Sequence, residues 1–141
     1  MHNLFFVTIP KDNCETSNDA KNWADDTLND NGFVGEGYYS GGKADWFVIG
    51  GRWSGILTDL LAPRNEDGSI NYCNRQNQYD ALGAEDDAMI LTEELADALI
   101  KEYAQEGECV EFYDTDDYEE YNISEIKNHI GKWIVVVDYH C

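Results

Sequence analysis

Cysteine and histidine side chains are the first candidates for chemistry in this chain, because thiolates and imidazoles are the usual ligands of zinc. The chain has four cysteines and three histidines, and no two cysteines form a C-x-x-C pair. His140 and Cys141 are adjacent at the end of the sequence, and Cys73 lies in a polar, turn-rich segment. The sequence therefore allows one zinc ion held by Cys73, His140 and Cys141, with Cys14 as the fourth ligand.

The same residue types also permit two thiol–imidazole pairs, Cys109 with His140 and Cys141 with His129. Such a pair is the arrangement used in nucleophilic catalysis by cysteine. Neither cysteine stands in the electropositive setting that activates a thiol, and the net charge of the chain is −20. We therefore predict a protein without enzymatic activity.

Negative charge is concentrated in one half of the chain. There are 29 Asp and Glu against nine Lys and Arg. Between Gln76 and Ile126 there are 17 acidic residues and one basic residue, Lys101. A charge run is typical of a solvated surface. It is also typical of a surface that steers a basic partner toward the protein.

Carboxylates along a strand and the following loop present negative charge as nucleic-acid phosphates do, which predicts binding to the basic groove of a nucleic-acid enzyme. Tyrosines among them add the contact area that dominates interface energetics. A calcium loop is the alternative, but Glu119 stands where that loop needs glycine. We predict the contact residues to be Glu106, Glu108, Glu111, Asp114, Asp116, Asp117, Tyr118, Glu119, Glu120 and Tyr121.

Residues 45–55, DWFVIGGRWSG, combine glycines with two tryptophans. In the structural interpretation, which we favour, a strand ends in a turn or bulge that needs positive φ at a glycine. Arg52 then pairs with Asp45 or stacks on an indole. In the functional interpretation, the segment forms a pocket for a small anionic or planar ligand. Its lining side chains would be Trp46, Arg52 and Trp53.

This segment resembles a motif found in other proteins. Residues 46–55 and the terminal Val137, Asp138, Tyr139 and His140 resemble short, mostly uncharacterised phage and bacterial proteins. Those proteins carry a W-[FY]-x-I-G-G-R-W-x-G segment and often end on a V-D-x-H strand. The resemblance implies a shared fold and a phage or prophage setting. By size and acidity the chain also resembles anti-CRISPR proteins, the phage inhibitors of RNA-guided nucleases.

Composition excludes several classes of protein. An aromatic content of 13% is too high for a disordered acidic tail. The basic residues are scattered singly, so we expect no direct contact with nucleic acid. The longest apolar run, residues 133–137, is far shorter than the roughly 20 residues of a membrane span. The first residues lack the basic region of an export signal, so we expect a cytoplasmic protein with reduced thiols.

Apolar periodicity and turn residues predict the elements that position these groups. Strands are expected at residues 4–9, 45–49, 52–57, 109–113 and 133–137, and helices begin near Ser17, Thr92 and Ser124. A length of 141 residues suits one domain, residues 1–141. We predict an α+β fold in which one mainly antiparallel sheet includes both terminal strands and two to three helices pack on one face.

Charge, resemblance and the lack of a catalytic group together predict a phage-type anti-defence protein. Its acidic surface would bind the basic nucleic-acid channel of a bacterial CRISPR effector nuclease and block loading of guide or target. The alternative is a small zinc- or ligand-binding domain built on the tryptophan–arginine segment and the Cys and His residues.

Overall fold

A computed structural model of the chain describes residues 2–34, 44–62, 65–69, 87–104 and 110–140. The strands are β1 (His2–Ile9), β2 (Trp46–Ile49), β3 (Ala88–Ile90), β4 (Glu111–Asp114), β5 (Glu119–Tyr121) and β6 (Trp133–His140). The α-helices are α1 (Ser17–Asp30), α2 (Ile56–Leu61) and α3 (Glu93–Tyr103). Within the described residues, 3₁₀ helices span Lys11–Asn13, Gly51–Trp53 and Ile123–His129. These elements confirm the α+β class.

The two terminal strands form the centre of the sheet. β1 and β6 are antiparallel, in a register that pairs His2 with His140 and Ile9 with Trp133. On its other side β6 pairs with β2 along its C-terminal half and with β3 along its N-terminal half. β4 lies parallel to β1, and β5 pairs antiparallel with β4. The sheet is therefore mixed but mainly antiparallel, as predicted.

Helices cover both faces of the sheet, although the sequence predicts helices on one face only. α1 packs on one face against Phe5, Val7 and Val137. α2, α3 and the 3₁₀ helix at Ile123–His129 pack on the opposite face. The physical reason is visible in β1 and β6, which each have six consecutive buried positions, all but one of them (Thr8 in β1 and Asp138 in β6) apolar or aromatic. Such runs are typical of strands that are buried on both faces, whereas half-exposed strands alternate.

The two long helices begin where side chains can cap them. The Thr16 hydroxyl caps α1 by accepting a hydrogen bond from the N–H of Asp19 at 3.1 Å. The Thr92 hydroxyl caps α3 in the same way, by accepting a hydrogen bond from the N–H of Leu95 at 3.1 Å. These bonds satisfy backbone donors that the first helical turn leaves unpaired. The sequence predicts both helices, and the observed cap of α1 lies one residue before the predicted Ser17.

Residues 52–57 do not form the predicted returning strand. They run from the 3₁₀ helix Gly51–Trp53 into α2. Gly50, Gly51 and Gly55 have φ angles of 78°, 55° and 83°, which lie outside the extended region. Three residues with positive φ within six positions turn the chain away from the sheet edge, so the prediction of a strand at residues 52–57 is wrong.

Among the helices of the described part of the chain, none is long and apolar enough to cross a membrane. The longest, α1, has 14 residues and carries several exposed acidic side chains.

Candidate functional site

β4 and β5 form a hairpin whose tip carries the densest exposed charge in the described chain. Residues 116–120, named here the acidic tip, are all exposed, and four of these five side chains are carboxylates. The fifth is Tyr118, which is 61% exposed and has a φ of 59°. Few non-glycine residues adopt positive φ, so Tyr118 stands out as a specific feature of this turn.

Hydrogen bonds from backbone N–H groups to carboxylates hold the turn. Asp114 Oδ1 accepts from the N–H of Asp116 at 3.1 Å, and Asp117 Oδ1 accepts from the N–H of Glu119 at 3.0 Å. Bonds of this kind let an aspartate imitate a backbone turn. The backbone of the acidic tip is therefore held in place by its own side chains.

Asp114 lies beneath the acidic tip, not on it. The residue is only 3% exposed, and its Oδ2 lies 2.6 Å from Lys132 Nζ and 3.1 Å from His129 Nδ1. The sequence predicts Asp114 as a partner contact, and this is wrong because the carboxylate is buried and already paired. Because Asp114 is paired with Lys132, it does not serve as the first ligand of the alternative calcium loop.

Tyr121 is likewise part of the support of the hairpin. Its ring stacks on His129, with 3.9 Å between centroids, and on Phe112. Burial raises the pKa of the Tyr121 phenol well above its ordinary range. The hydroxyl therefore stays protonated and donates a hydrogen bond to Thr8 Oγ1 at 3.2 Å.

His129 is held neutral in the same cluster. Burial lowers the pKa of His129 below its ordinary value of 6.5, and the Lys132 ammonium lowers it further. The Asp114 carboxylate acts in the opposite direction. Desolvation prevails because Lys132 already neutralises the same Oδ2 atom at a shorter distance. Asp114 and Lys132 thus form the ion pair that anchors β4 to the start of β6.

An open groove runs beside the hairpin. Its volume is about 180 Å³, and it is lined by Val110, Glu111, Glu120, Tyr121, Asn122 and Glu125. Three carboxylates beside a tyrosine ring favour a cationic side chain in this groove.

The glycine–tryptophan segment encloses two other buried carboxylates. Asp138, 2% exposed, accepts hydrogen bonds from the Arg52 N–H at 2.9 Å and from His2 Nδ1 at 2.9 Å. Asp87, 6% exposed, accepts from Ser54 Oγ at 2.9 Å and from the Gly55 N–H at 2.8 Å. N–H and O–H groups of the turn thus replace water as hydrogen-bond donors to two buried carboxylates.

Both glycines of the Gly-Gly pair are required by this arrangement. A Cβ at Gly50 would overlap the Asp87 carboxylate, and one at Gly51 would lie 2.6 Å from Asp138 Cβ. Positive φ at both positions adds a second reason for glycine. The structure supports the structural interpretation of this segment over a ligand pocket centred on Arg52.

Arg52 acts through its backbone. Its N–H binds Asp138, and no described ion pair or ring contact involves its exposed guanidinium. The predicted partner, Asp45, instead lies 3.3 Å from His140 Nδ1. Trp53 packs against the core on the α2 and α3 face, whereas Trp46 is 41% exposed and stacks on His140. The three predicted pocket residues therefore do not converge.

The predicted zinc ligands are not brought together where the structure describes them. Cys14 is buried next to Trp133, whose indole N–H donates to the Cys14 carbonyl at 3.1 Å. His140 lies at the opposite end of the eight-residue strand β6, roughly 23 Å away at the usual rise per residue. Cys14 and His140 therefore cannot bind one ion. In the described residues no three or more Cys, His, Asp or Glu side chains form a metal-binding group.

Several predicted residues fall outside the described residues. They are Cys73, Cys109, Cys141, Glu106 and Glu108. Predictions for these five residues stay predictions.

Sequence reasoning assigned no structural role to four residues that organise these sites: His2, Asp87, Lys132 and Asp138. An acidic residue inside an apolar run, as Asp138 is within β6, signals a buried carboxylate in need of a partner. No local pattern identifies that partner, because His2 is 136 positions away in the chain.

Comparison with known proteins adds no assignment: no family model, no curated protein and no solved structure matches this chain.

Proposed function

We propose that this protein inhibits a bacterial defence nuclease by placing its acidic hairpin in the basic channel that normally holds nucleic acid. The observation that carries the proposal is the acidic tip, where four exposed carboxylates occupy five consecutive positions of an ordered turn. A net charge of −20 provides the long-range attraction.

The support beneath the tip favours binding, because a preorganised surface loses less conformational entropy on association. The pair between Asp114 and Lys132 ties the hairpin to β6, and Tyr121 stacks between Phe112 and His129. The backbone that carries the tip carboxylates therefore needs little ordering when a partner binds.

Two features next to the charges suit a protein partner. Tyr118 exposes most of its ring at the apex of the hairpin, and tyrosine is among the residues that contribute most to interface affinity. The groove lined by Glu111, Glu120 and Glu125 accepts an arginine or lysine side chain. Contact thus combines mimicry of phosphate charge with capture of individual basic side chains.

The partner class we propose is the RNA-guided nuclease of a CRISPR system, in the cytoplasm of a bacterial host. Such enzymes hold guide and target in a positively charged channel that reads backbone charge and shape. The resemblance of residues 46–55 to phage and bacterial proteins supports a setting in which such an inhibitor is useful. In this proposal the protein blocks loading of nucleic acid and performs no catalysis.

The test is cleavage of a target plasmid by purified RNA-guided nucleases, with and without the protein, at 50 and 300 mM salt. We expect inhibition at low salt that weakens at high salt, because surface charges are screened. In the tip variant, with Asp116→Asn, Asp117→Asn, Glu119→Gln and Glu120→Gln, inhibition should fall at least tenfold.

The matched control neutralises four exposed carboxylates elsewhere, namely Asp12, Asp25, Asp26 and Asp30. Both variants have a net charge of −16, since each removes four of the 20 excess negative charges. Retained inhibition in the control and loss in the tip variant would locate the contact at the hairpin. Equal loss in both would show only a general charge effect, and full inhibition by the tip variant would refute the proposal.

A further inference from the structure

Two imidazoles lie together at the open end of the sheet, remote from the acidic hairpin. His2 and His140 are direct partners across β1 and β6, and their ring centroids are 5.8 Å apart. Their side chains are 31% and 34% exposed, so solutes can reach both. Directly opposed residues of antiparallel strands are close enough to share one small ligand.

Each imidazole is oriented by a carboxylate. His2 Nδ1 lies 2.9 Å from Asp138 Oδ1, and His140 Nδ1 lies 3.3 Å from Asp45 Oδ2. An ionised carboxylate only accepts hydrogen bonds, so in the neutral rings Nδ1 carries the proton and Nε2 carries the lone pair. No described hydrogen bond uses Nε2 of either ring. A carboxylate behind each histidine is the usual arrangement around metal-ligating histidines.

We propose that His2 and His140 bind one divalent transition-metal ion through their Nε2 atoms, with water completing the coordination. Zn²⁺ and Ni²⁺ prefer imidazole ligands. Metal–nitrogen bonds of about 2.0–2.1 Å place two bound imidazole centroids roughly 4.5–5.5 Å apart, so the observed 5.8 Å requires only a small side-chain rotation to close on one ion. Asp138, buried behind His2, and Asp45 add negative charge that favours a dication.

This site goes beyond the proposed function and does not depend on it. It also differs from the zinc site predicted from sequence, because it uses His2 and none of the cysteines. Two protein ligands with several waters make an open site, which leaves room for a further ligand on the metal.

The primary test uses the unmodified chain without a histidine tag. Addition of one equivalent of ZnCl₂ to ¹⁵N-labelled protein should shift the Nε2 resonances of His2 and His140 and leave those of His129 in place. His129 is the internal control because it lies in the Asp114 cluster. Since no residue is changed, the result does not depend on the folding of a variant.

Affinity measurements by titration calorimetry with ZnCl₂ and NiCl₂ provide the second readout. His2→Gln and His140→Gln should each weaken binding at least tenfold, Asp45→Asn should weaken it several-fold, and His129→Gln should leave it unchanged. MgCl₂ should not compete, because Mg²⁺ prefers oxygen ligands. Zinc bound with equal affinity by both histidine variants, displacement by MgCl₂, or no shift at His2 and His140 would overturn the proposal.

Discussion

The acidic hairpin and the glycine–tryptophan turn both place aspartates beside backbone N–H groups, with opposite outcomes. At the hairpin, Asp117 binds a turn N–H and remains in water, and its neighbours at residues 116–120 are exposed with it. At the glycine turn, Asp138 binds the Arg52 N–H while almost completely buried. The same local interaction therefore serves a surface in one region and the interior in the other.

The two regions differ in whether other groups offset the cost of removing the carboxylate from water. A buried charge needs a cation or several hydrogen-bond donors, because the low-dielectric interior penalises it. His2 and the turn supply donors to Asp138, and Lys132 supplies an ammonium to Asp114. The acidic residues that the structure describes thus divide into structural and surface groups according to their partners, and the following predictions test that division.

The largest effect is expected where the glycine turn meets Asp138. Gly51→Ala should lower the free energy of unfolding by about 3–5 kcal/mol, because a Cβ both clashes with Asp138 and disfavours a φ of 55°. Gly32→Ala is the matched control, since φ is 70° and no atom lies within 4 Å of the added Cβ. It should cost about 1–2 kcal/mol. Equal losses in urea denaturation would mean that contact with Asp138 is unimportant.

The next effect separates two aspartates of the hairpin. Asp114→Asn should destabilise the protein by about 2–4 kcal/mol, because it leaves the half-buried Lys132 ammonium without its counter-ion. Asp116→Asn, two residues later and exposed, should change stability by less than about 0.5 kcal/mol. Thermal and urea unfolding of both variants measure the contrast. If Asp114→Asn changed stability as little as Asp116→Asn does, Asp114 would belong to the surface group.

Neutralising the acidic tip should have a smaller effect of the opposite sign. With Asp116, Asp117, Glu119 and Glu120 changed to amides, we expect unchanged stability or a gain of up to about 1 kcal/mol, because self-repulsion falls. The gain should shrink in 0.5 M NaCl, where exposed charges are screened. A loss above about 1 kcal/mol would show that the tip is part of the structural group.

His129 should make stability depend weakly on pH. Its folded-state pKa lies below its unfolded value of 6.5, so the unfolded chain binds the proton first as the pH falls. The contribution of neutral His129 is complete above pH 6.5 and is lost as the pH falls toward the lowered folded-state value. As the pH is lowered from 7 to 5, the free energy of unfolding of His129→Gln should therefore rise relative to that of the natural chain, by less than about 1 kcal/mol. If His129→Gln instead lost stability relative to the natural chain over this interval, the pKa of His129 would be raised on folding and the prediction would be wrong.

The smallest effect is expected at Arg52. The backbone N–H of Arg52, not its guanidinium, binds Asp138, so Arg52→Ala keeps the contact. Stability should change by less than about 0.5 kcal/mol, as for other surface substitutions. Inhibition of the nuclease should also persist, because Arg52 is remote from the acidic tip. Lost inhibition with intact stability would assign the functional surface to the glycine–tryptophan segment.

Local patterns in the sequence were sufficient for much of the fold. The short-range signals are the apolar runs of β1 and β6, the predicted capping residues Ser17 and Thr92 with the helically spaced apolar positions that follow them, and the acidic run after β4. They act within about one turn or one strand. They predicted the α+β class, both terminal strands in the sheet and an exposed acidic surface.

Tertiary structure decided which carboxylates belong to that surface. Asp114 and Asp116 are two residues apart in one acidic run, yet only Asp114 faces Lys132, which is 18 positions away. His2 meets Asp138 and His140 only because the first and last strands pair in one register. Such contacts depend on long-range pairing and burial, which residue type and spacing do not specify.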